Sequence, residues 1–218
     1  MIYFATSSSP TIRDHMTRGN LGMMATPADG RSPATAAVWA ADNGCFGKGY
    51  PGDDGYLAWL RKHAEHAPRC VFATAPDVVG DAAATLERSE PFYQPIRALG
   101  YPVALVAQDG LTVDATPWDQ IDALFVGGST EWKLGAAARE LISAAKARGK
   151  FVHIGRVNSH RRMRYAHFVG ADSVDGTFLA FGPDTNLPKL RGWLRDIAQQ
   201  TTLLAVTDCA GRPYGGQA

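Results

Sequence analysis

Short apolar runs that stop abruptly on a polar residue or a glycine recur along this chain. AVWAADNGCF (37–46), CVFATAPDVVGD (70–81), PVALVAQDG (102–110), ALFVGGSTEW (123–132) and GADSVDGTF (170–178) share this form. Eight β-type runs emerge in all, at 2–6, 21–25, 37–42, 70–75, 102–107, 122–127, 151–156 and 171–176. Most are separated by apolar residues at helical spacing, and that alternation is the pattern of parallel βαβ units. Tyr56, Trp59, Leu60 and His63 recur at helical intervals within 55–66. Leu134, Ala138, Leu141, Ile142 and Ala145 form one stripe over 134–148, with Gly149 placed as a C-cap. A last helix is predicted to start near Pro188, with Leu190, Trp193, Leu194 and Ile197 on one face. The segment 82–99 is helical in pattern, but Pro91 and Pro95 are expected to break or kink it.

This order of elements predicts an α/β fold, a compact (β/α)8 TIM barrel in one domain over residues 1–207, followed by a tail over 208–218. Residues 26–36 read as an exposed loop, which with the tail is expected to be the most mobile part. In such a barrel Asp42, Asp77, Gln108, Gly127, Gly128 and Asp175 all stand at strand C-termini, the rim where barrel enzymes hold their active sites. Side chains two apart on a strand share a face. Counting back from Asp175 puts the small residues Ser173 and Ala171 beside it and Asp172 on the other face, so Asp175 is the better catalytic candidate. An isolated Asp at a strand end usually caps a helix or forms a turn. Several at successive strand ends weaken that reading.

Composition narrows the picture. The 218 residues, 45% hydrophobic, fit one domain with a full core. A formal charge of +1 excludes a bulk nucleic-acid neutraliser, so contact with nucleic acid must come from a local patch. The densest basic cluster is RVNSHRRMR, with Arg156, Arg161, Arg162 and Arg164 after the seventh strand; it reads equally as a phosphate contact on the rim or a solvated helix face. Cys45, Cys70 and Cys209 lack CxxC spacing, and His153, His160 and His167 form no metal triad, which predicts no metal site. His160 and His167 read as surface or helix-packing residues, and Trp132 as a candidate lining residue. No apolar stretch approaches the roughly 20 residues that span a bilayer, and no leader is evident at the start; the chain reads as soluble and cytoplasmic, with no membrane partner.

The motifs resemble, in order, those of the queuine and archaeosine tRNA-guanine transglycosylases over roughly residues 37–180. DNGCF is similar to their DSGGF segment, VAQDG to VQGG, FVGGSTEW to their glycine-pair loop, and GADSVDG to GVDMFDC. The resemblance implies that Asp175 is the nucleophile and Asp42 the general acid/base. Asp77 and Gln108 would hydrogen-bond the base, with the Gly127 and Gly128 backbone approaching it. Phe46 would stack on one face of the base and Ile154 lie on the other. Asn43 stands where the family has Ser, so its contacts are expected to differ. The chemistry fits these residue types: a carboxylate can trap an oxocarbenium-like state as a glycosyl ester while a second manages protons.

Two departures follow. The family's tRNA enzymes bind zinc through a Cys cluster and a His after the nucleophile strand, which this sequence does not supply; no cofactor is expected. The chain is also shorter than those enzymes. It looks closer to the phage and bacterial branch that inserts a 7-deazaguanine such as preQ0 into DNA. The expected partners are therefore DNA, with tRNA as alternative, and a free 7-deazaguanine base, with a homodimer left open. A hydrolytic glycosidase or nucleoside hydrolase and a non-catalytic base-binding barrel are competing readings.

Overall fold

A computed structural model of the chain describes residues 1–210, with side chains through residue 199. Eight parallel strands close into a barrel in sequence order: β1 (Ile2–Ala5), β2 (Gly22–Ala25), β3 (Trp39–Ala41), β4 (Cys70–Thr74), β5 (Val103–Ala107), β6 (Ala123–Val126), β7 (Phe151–Ile154) and β8 (Ser173–Asp175). Closure runs through β8 onto β1, where Ile2 pairs with Ser173 and Phe4 with Asp175. The (β/α)8 expectation holds in one domain.

Alternation along the strands divides two cores. Phe4, Met24, Ala40, Phe72, Ala104 and Ala123 fill the barrel interior, with Phe125 and Phe151 against them. Alanines on three strands leave the volume that the phenylalanines occupy, so the lower barrel is plugged by side chains. Gly22 belongs to the same fit, since a Cβ there would lie 2.4 Å from the Phe4 ring. The outward faces, including Trp39, Leu105, Leu124, Val152 and Val174, pack against the helices.

The helices are α1 (Pro10–Thr17), α2 (Asp53–Lys62), α3 (Ala82–Ala98), α4 (Thr130–Leu134), α5 (Ala136–Ala147), α6 (His160–Phe168) and α7 (Pro183–Ala210). The periodicity missed α1, whose Ser9 accepts from the Ile12 N–H and whose Pro10 opens the first turn. Helix α3 runs continuously through Pro91 and Pro95, so of the expected break or kink the break does not occur. The prolines lie four apart on one side, and the carbonyls they leave unbonded belong to Glu87 and Pro91, both exposed and open to water. Leu134 does not join the stripe of α5: Gly135 separates it into α4, where it is exposed. The 55–66 pattern resolves into α2 and a 3-10 stretch, Ala64–Arg69. Helix α7 starts at Pro183 and continues past the expected boundary at 207; the rest of the predicted tail, 211–218, lies outside the described residues. The predicted loop 26–36 holds two 3-10 turns, Pro27–Asp29 and Pro33–Thr35, and no α-helix joins β2 to β3.

Candidate active site

The C-terminal mouth of the barrel opens into a cavity of about 370 Å3, a size typical of small-molecule pockets. Asp42, Asn43, Phe46, Asp77, Gln108, Gly127, Gly128, Arg156 and Asp175 all line it. Residues separated by up to 133 positions thus converge: Asp42, Gln108, Gly127 and Asp175 continue the inward register of Ala40, Ala104, Phe125 and Ser173, and the others stand on the loops that follow their strands.

Asp175 is the last residue of β8, two after Ser173 on the same inward face. Its Oδ1 is 3.0 Å from His153 Nε2 and accepts the Arg156 N–H at 3.1 Å. His153 is fully buried, and its Nδ1 is 2.8 Å from the Ser173 hydroxyl. An ionised carboxylate only accepts, so Nε2 donates to Asp175, and the Ser173 hydroxyl pairs with Nδ1 on the other side of the ring. Both bonds to Asp175 fall on Oδ1, so Oδ2 is the oxygen left for a reacting atom.

Asp42 follows β3 and is partly open to the cavity yet surrounded by protein. Burial foremost, and the nearby charge of Asp175 next, push its carboxyl up to about 7, against the Gly44 N–H, which favours the ionised form. The two carboxylates therefore differ in environment: one is bonded to an imidazole and an amide, the other is poised to exchange a proton near neutrality.

Asp77 is held by two amides. Asn43 Nδ2 donates to Oδ1 at 3.0 Å and Gln108 Nε2 to Oδ2 at 2.6 Å. Burial raises the Asp77 carboxyl, and those two bonds oppose the rise. Gln108 Oε1 accepts from the Gly80 and Gly128 N–H groups at 3.0 and 3.1 Å, which sets the amide's orientation. Gln108 is thus engaged in holding Asp77 and the glycine loop. Asn43 is similarly occupied: it also donates to the Ala75 carbonyl at 2.9 Å and accepts the Cys45 N–H at 2.7 Å. Each Asp77 oxygen keeps lone-pair capacity toward the cavity, so a ligand's ring N–H and exocyclic amine could reach it.

Arg156 forms one wall. It takes φ of 61°, the one non-glycine with positive φ among the described residues. Its guanidinium donates to the Gly128 carbonyl and lies 4.6 Å from the centre of the Phe46 ring. Phe46 is 65% exposed, an aromatic face at the mouth with little else covering it. Behind this wall Lys133 is buried and donates to the Gly155 carbonyl at 2.7 Å. Burial, then Arg156, lowers its ammonium to about 8, and the Asp175 charge works the other way.

Other predicted residues lie elsewhere. Ile154 faces outward into the helix-side core beside a small pocket with Lys133 and Arg162, so it cannot cover a base; Gly155, one residue on, lines the mouth cavity instead. The expected alignment was one residue out of phase with the pleat. Trp132 also stays out of the cavity, where it packs against Gly128 from behind. Arg161, Arg162 and Arg164 lie on α6 outside the cavity; Arg161 and Arg164 are exposed, while Arg162 lines the small pocket. His160 stacks on Trp193 with ring centres 5.7 Å apart, a helix-packing role as expected. Sequence reasoning missed Val79, Phe125, Gly155, Asn158 and Thr177 in the lining, and Lys133 behind it. Gly155 and Asn158 belong to the segment after β7, which ends at Ile154 rather than at residue 156.

Among the described residues no group of three or more His, Cys, Asp and Glu side chains could hold a metal ion, and no helix is long and apolar enough to cross a membrane. Cys209 lies outside the described side chains.

No family model and no curated protein matches the sequence. Solved structures with a similar backbone include an enolase protein from the environmental genome shotgun sequencing of the Sargasso Sea, at 11% identity and a TM-score of 0.49, covering 80% of this chain and 53% of that one. Vibrio cholerae LapD (S helix-GGDEF-EAL, apo) matches at 11% identity and 0.45, covering 78% and 39%. The Bacillus subtilis YkuI protein, with an EAL domain, in complex with c-di-GMP and calcium, matches at 13% and 0.45, covering 78% and 46%. The chain spans about half the length of these proteins or less.

Proposed function

We propose that this protein is a guanine transglycosylase that exchanges guanine in DNA for a free 7-deazaguanine base through a covalent Asp175 intermediate. The observation that carries the reading is the gathering of Asp42, Asp175 and the amide-held Asp77 around one cavity at the barrel mouth. Asp175 Oδ2 attacks the anomeric carbon as the bond from that carbon to the guanine ring nitrogen breaks, giving a glycosyl ester. Asp42, protonated in part near neutral pH, gives its proton to the departing guanine. After the bases exchange, Asp42 takes the ring proton of the incoming base, whose nitrogen displaces Asp175 and restores the carboxylate. Two displacements retain the configuration at the sugar.

Asp77 is placed to accept from a purine's ring N–H and exocyclic amine, an arrangement that favours guanine-like edges over adenine. Phe46 supplies a stacking face. A paired base cannot reach such a cavity, so flipping is required. DNA is favoured over tRNA because the strand connections from β1 to β8 hold helices or turns and no inserted domain to cradle a folded RNA.

The test is base exchange with labelled guanine and DNA, followed by nucleoside mass spectrometry after incubation with preQ0. Incorporation of label and of preQ0 into DNA supports the reading. Release of guanine without incorporation would point to a hydrolase, and faster exchange on tRNA would change the substrate.

A further inference from the structure

A second hollow lies outside the mouth. Because no α-helix joins β2 to β3, a space of about 330 Å3 opens between α1 and the loop 26–36, with Met23 of β2 on its floor. Its walls are polar: Arg13 from α1, Arg31, Ser32 and Thr35 from the loop, and Ser7 just beyond β1. Ser7 is only 5% exposed, and its Oγ has no hydrogen-bond partner. A buried hydroxyl left unpaired by the protein offers a donor to whatever fills the hollow. Among the described residues neither Arg13 nor Arg31 forms an ion pair; Arg13 makes a long bond of 3.4 Å to the Ser7 carbonyl. Asp29, on the same loop, does not line the hollow; burial raises its carboxyl, and the Thr26 backbone and the Arg31 charge oppose the rise.

We infer that this hollow binds a phosphate group. Two guanidiniums from different elements and hydroxyls from three positions offer more donors, in more directions, than a planar carboxylate can use; a tetrahedral anion can take them. The group comes either from the backbone of a polynucleotide or from free phosphate. Neither source depends on base exchange at the mouth.

Inorganic phosphate binding, measured by calorimetry, and binding of a short single-stranded oligodeoxynucleotide across a salt series separate the two sources. The variants are Arg13→Gln/Arg31→Gln and Ser7→Ala, each checked for its melting temperature. The double variant should weaken phosphate binding by about tenfold or more, as expected for lost charge-assisted bonds. Ser7→Ala should weaken it by about threefold while raising the melting temperature, since it removes an unpaired buried hydroxyl. If the phosphate belongs to a polynucleotide, the salt slope for the oligonucleotide also falls by about one per lost contact. An unchanged slope with lost phosphate binding assigns the hollow to free phosphate. Wild-type protein that binds no inorganic phosphate and shows the same slope as the double variant overturns the inference. Asp175→Asn should bind phosphate as wild type does, so failure of base exchange alone would sink the proposed function and leave this site standing.

Discussion

His153 Nε2 stands 3.0 Å from Asp175 Oδ1, so the residue proposed as nucleophile is tied to an imidazole buried in the barrel floor. His153→Leu keeps an apolar filling among Phe4, Phe72 and Phe125 but removes that donor. The chain should fold, and kcat for exchange should fall by about 10- to 100-fold, the equivalent of one hydrogen bond to a charged group, with KM little changed. A variant whose loss lies in KM alone would place His153 outside the chemistry.

Asp175→Asn retains an oxygen that can accept from His153 and the Arg156 N–H, so its stability should stay close to wild type. Exchange should vanish, and denaturing gels should show a DNA adduct for wild type only. Full activity in this variant removes the nucleophile assignment.

Asp42 carries a pH signature. Its carboxyl is raised by burial and by Asp175 from the usual 3.8 to about 7, so between those values the folded state holds more protons than the unfolded one. Stability from this group is therefore complete below about pH 4 and is lost as pH rises through about 7, by at most about 4 kcal/mol. Asp42→Asn should cancel the loss: thermal melts should show the variant gaining on wild type from pH 5 to pH 8, while exchange drops. Equal melting curves at every pH would show that Asp42 ionises as freely in the folded chain as in the unfolded one.

Gln108→Leu should strip Asp77 of its 2.6 Å donor and leave the Gly80 and Gly128 N–H groups without their acceptor. A loss of about 2–4 kcal/mol in denaturant unfolding is expected from those unmet buried groups. A change under about 0.5 kcal/mol would mean that water replaces the amide without cost.

Arg156→Gly should relax the positive φ while keeping the N–H that reaches Asp175. Stability should move by no more than about 1 kcal/mol, and KM for the free base should rise as the wall beside Phe46 is lost. Unchanged kinetics would show that the guanidinium does not face the base.

The barrel was legible because its strands are short, apolar and separated by helical spacing, and because Asp42, Gln108 and Asp175 end runs whose direction alternation dictates; Asp77 reaches the cavity from the loop after β4, since Ala75, two before it, faces the helices. Asn43, Phe46, Gly127 and Gly128 line the same cavity. Phase was harder: His153 points into the barrel, so Ile154 turns outward and Gly155 comes in. Lys133 gave no local signal, since its partner is a carbonyl 22 residues away. The same holds for His153, whose sequence neighbours say nothing of Ser173 or Asp175. Helix α3 escaped the proline rule because water can reach the carbonyls its prolines leave unbonded.

The ring of His153 has neighbours below as well as above: its centre lies 4.4 Å from that of Phe125 and 5.2 Å from that of Phe72. Packing and reactivity thus meet in a single side chain, and the plug is not a passive foundation. Thinning Phe72 would let the imidazole tilt and carry Oδ1 of Asp175 with it, so a change made deep in the barrel would register in the proposed exchange at its mouth. Attempts to harden this protein by repacking its floor would therefore also shift the carboxylate proposed as its nucleophile.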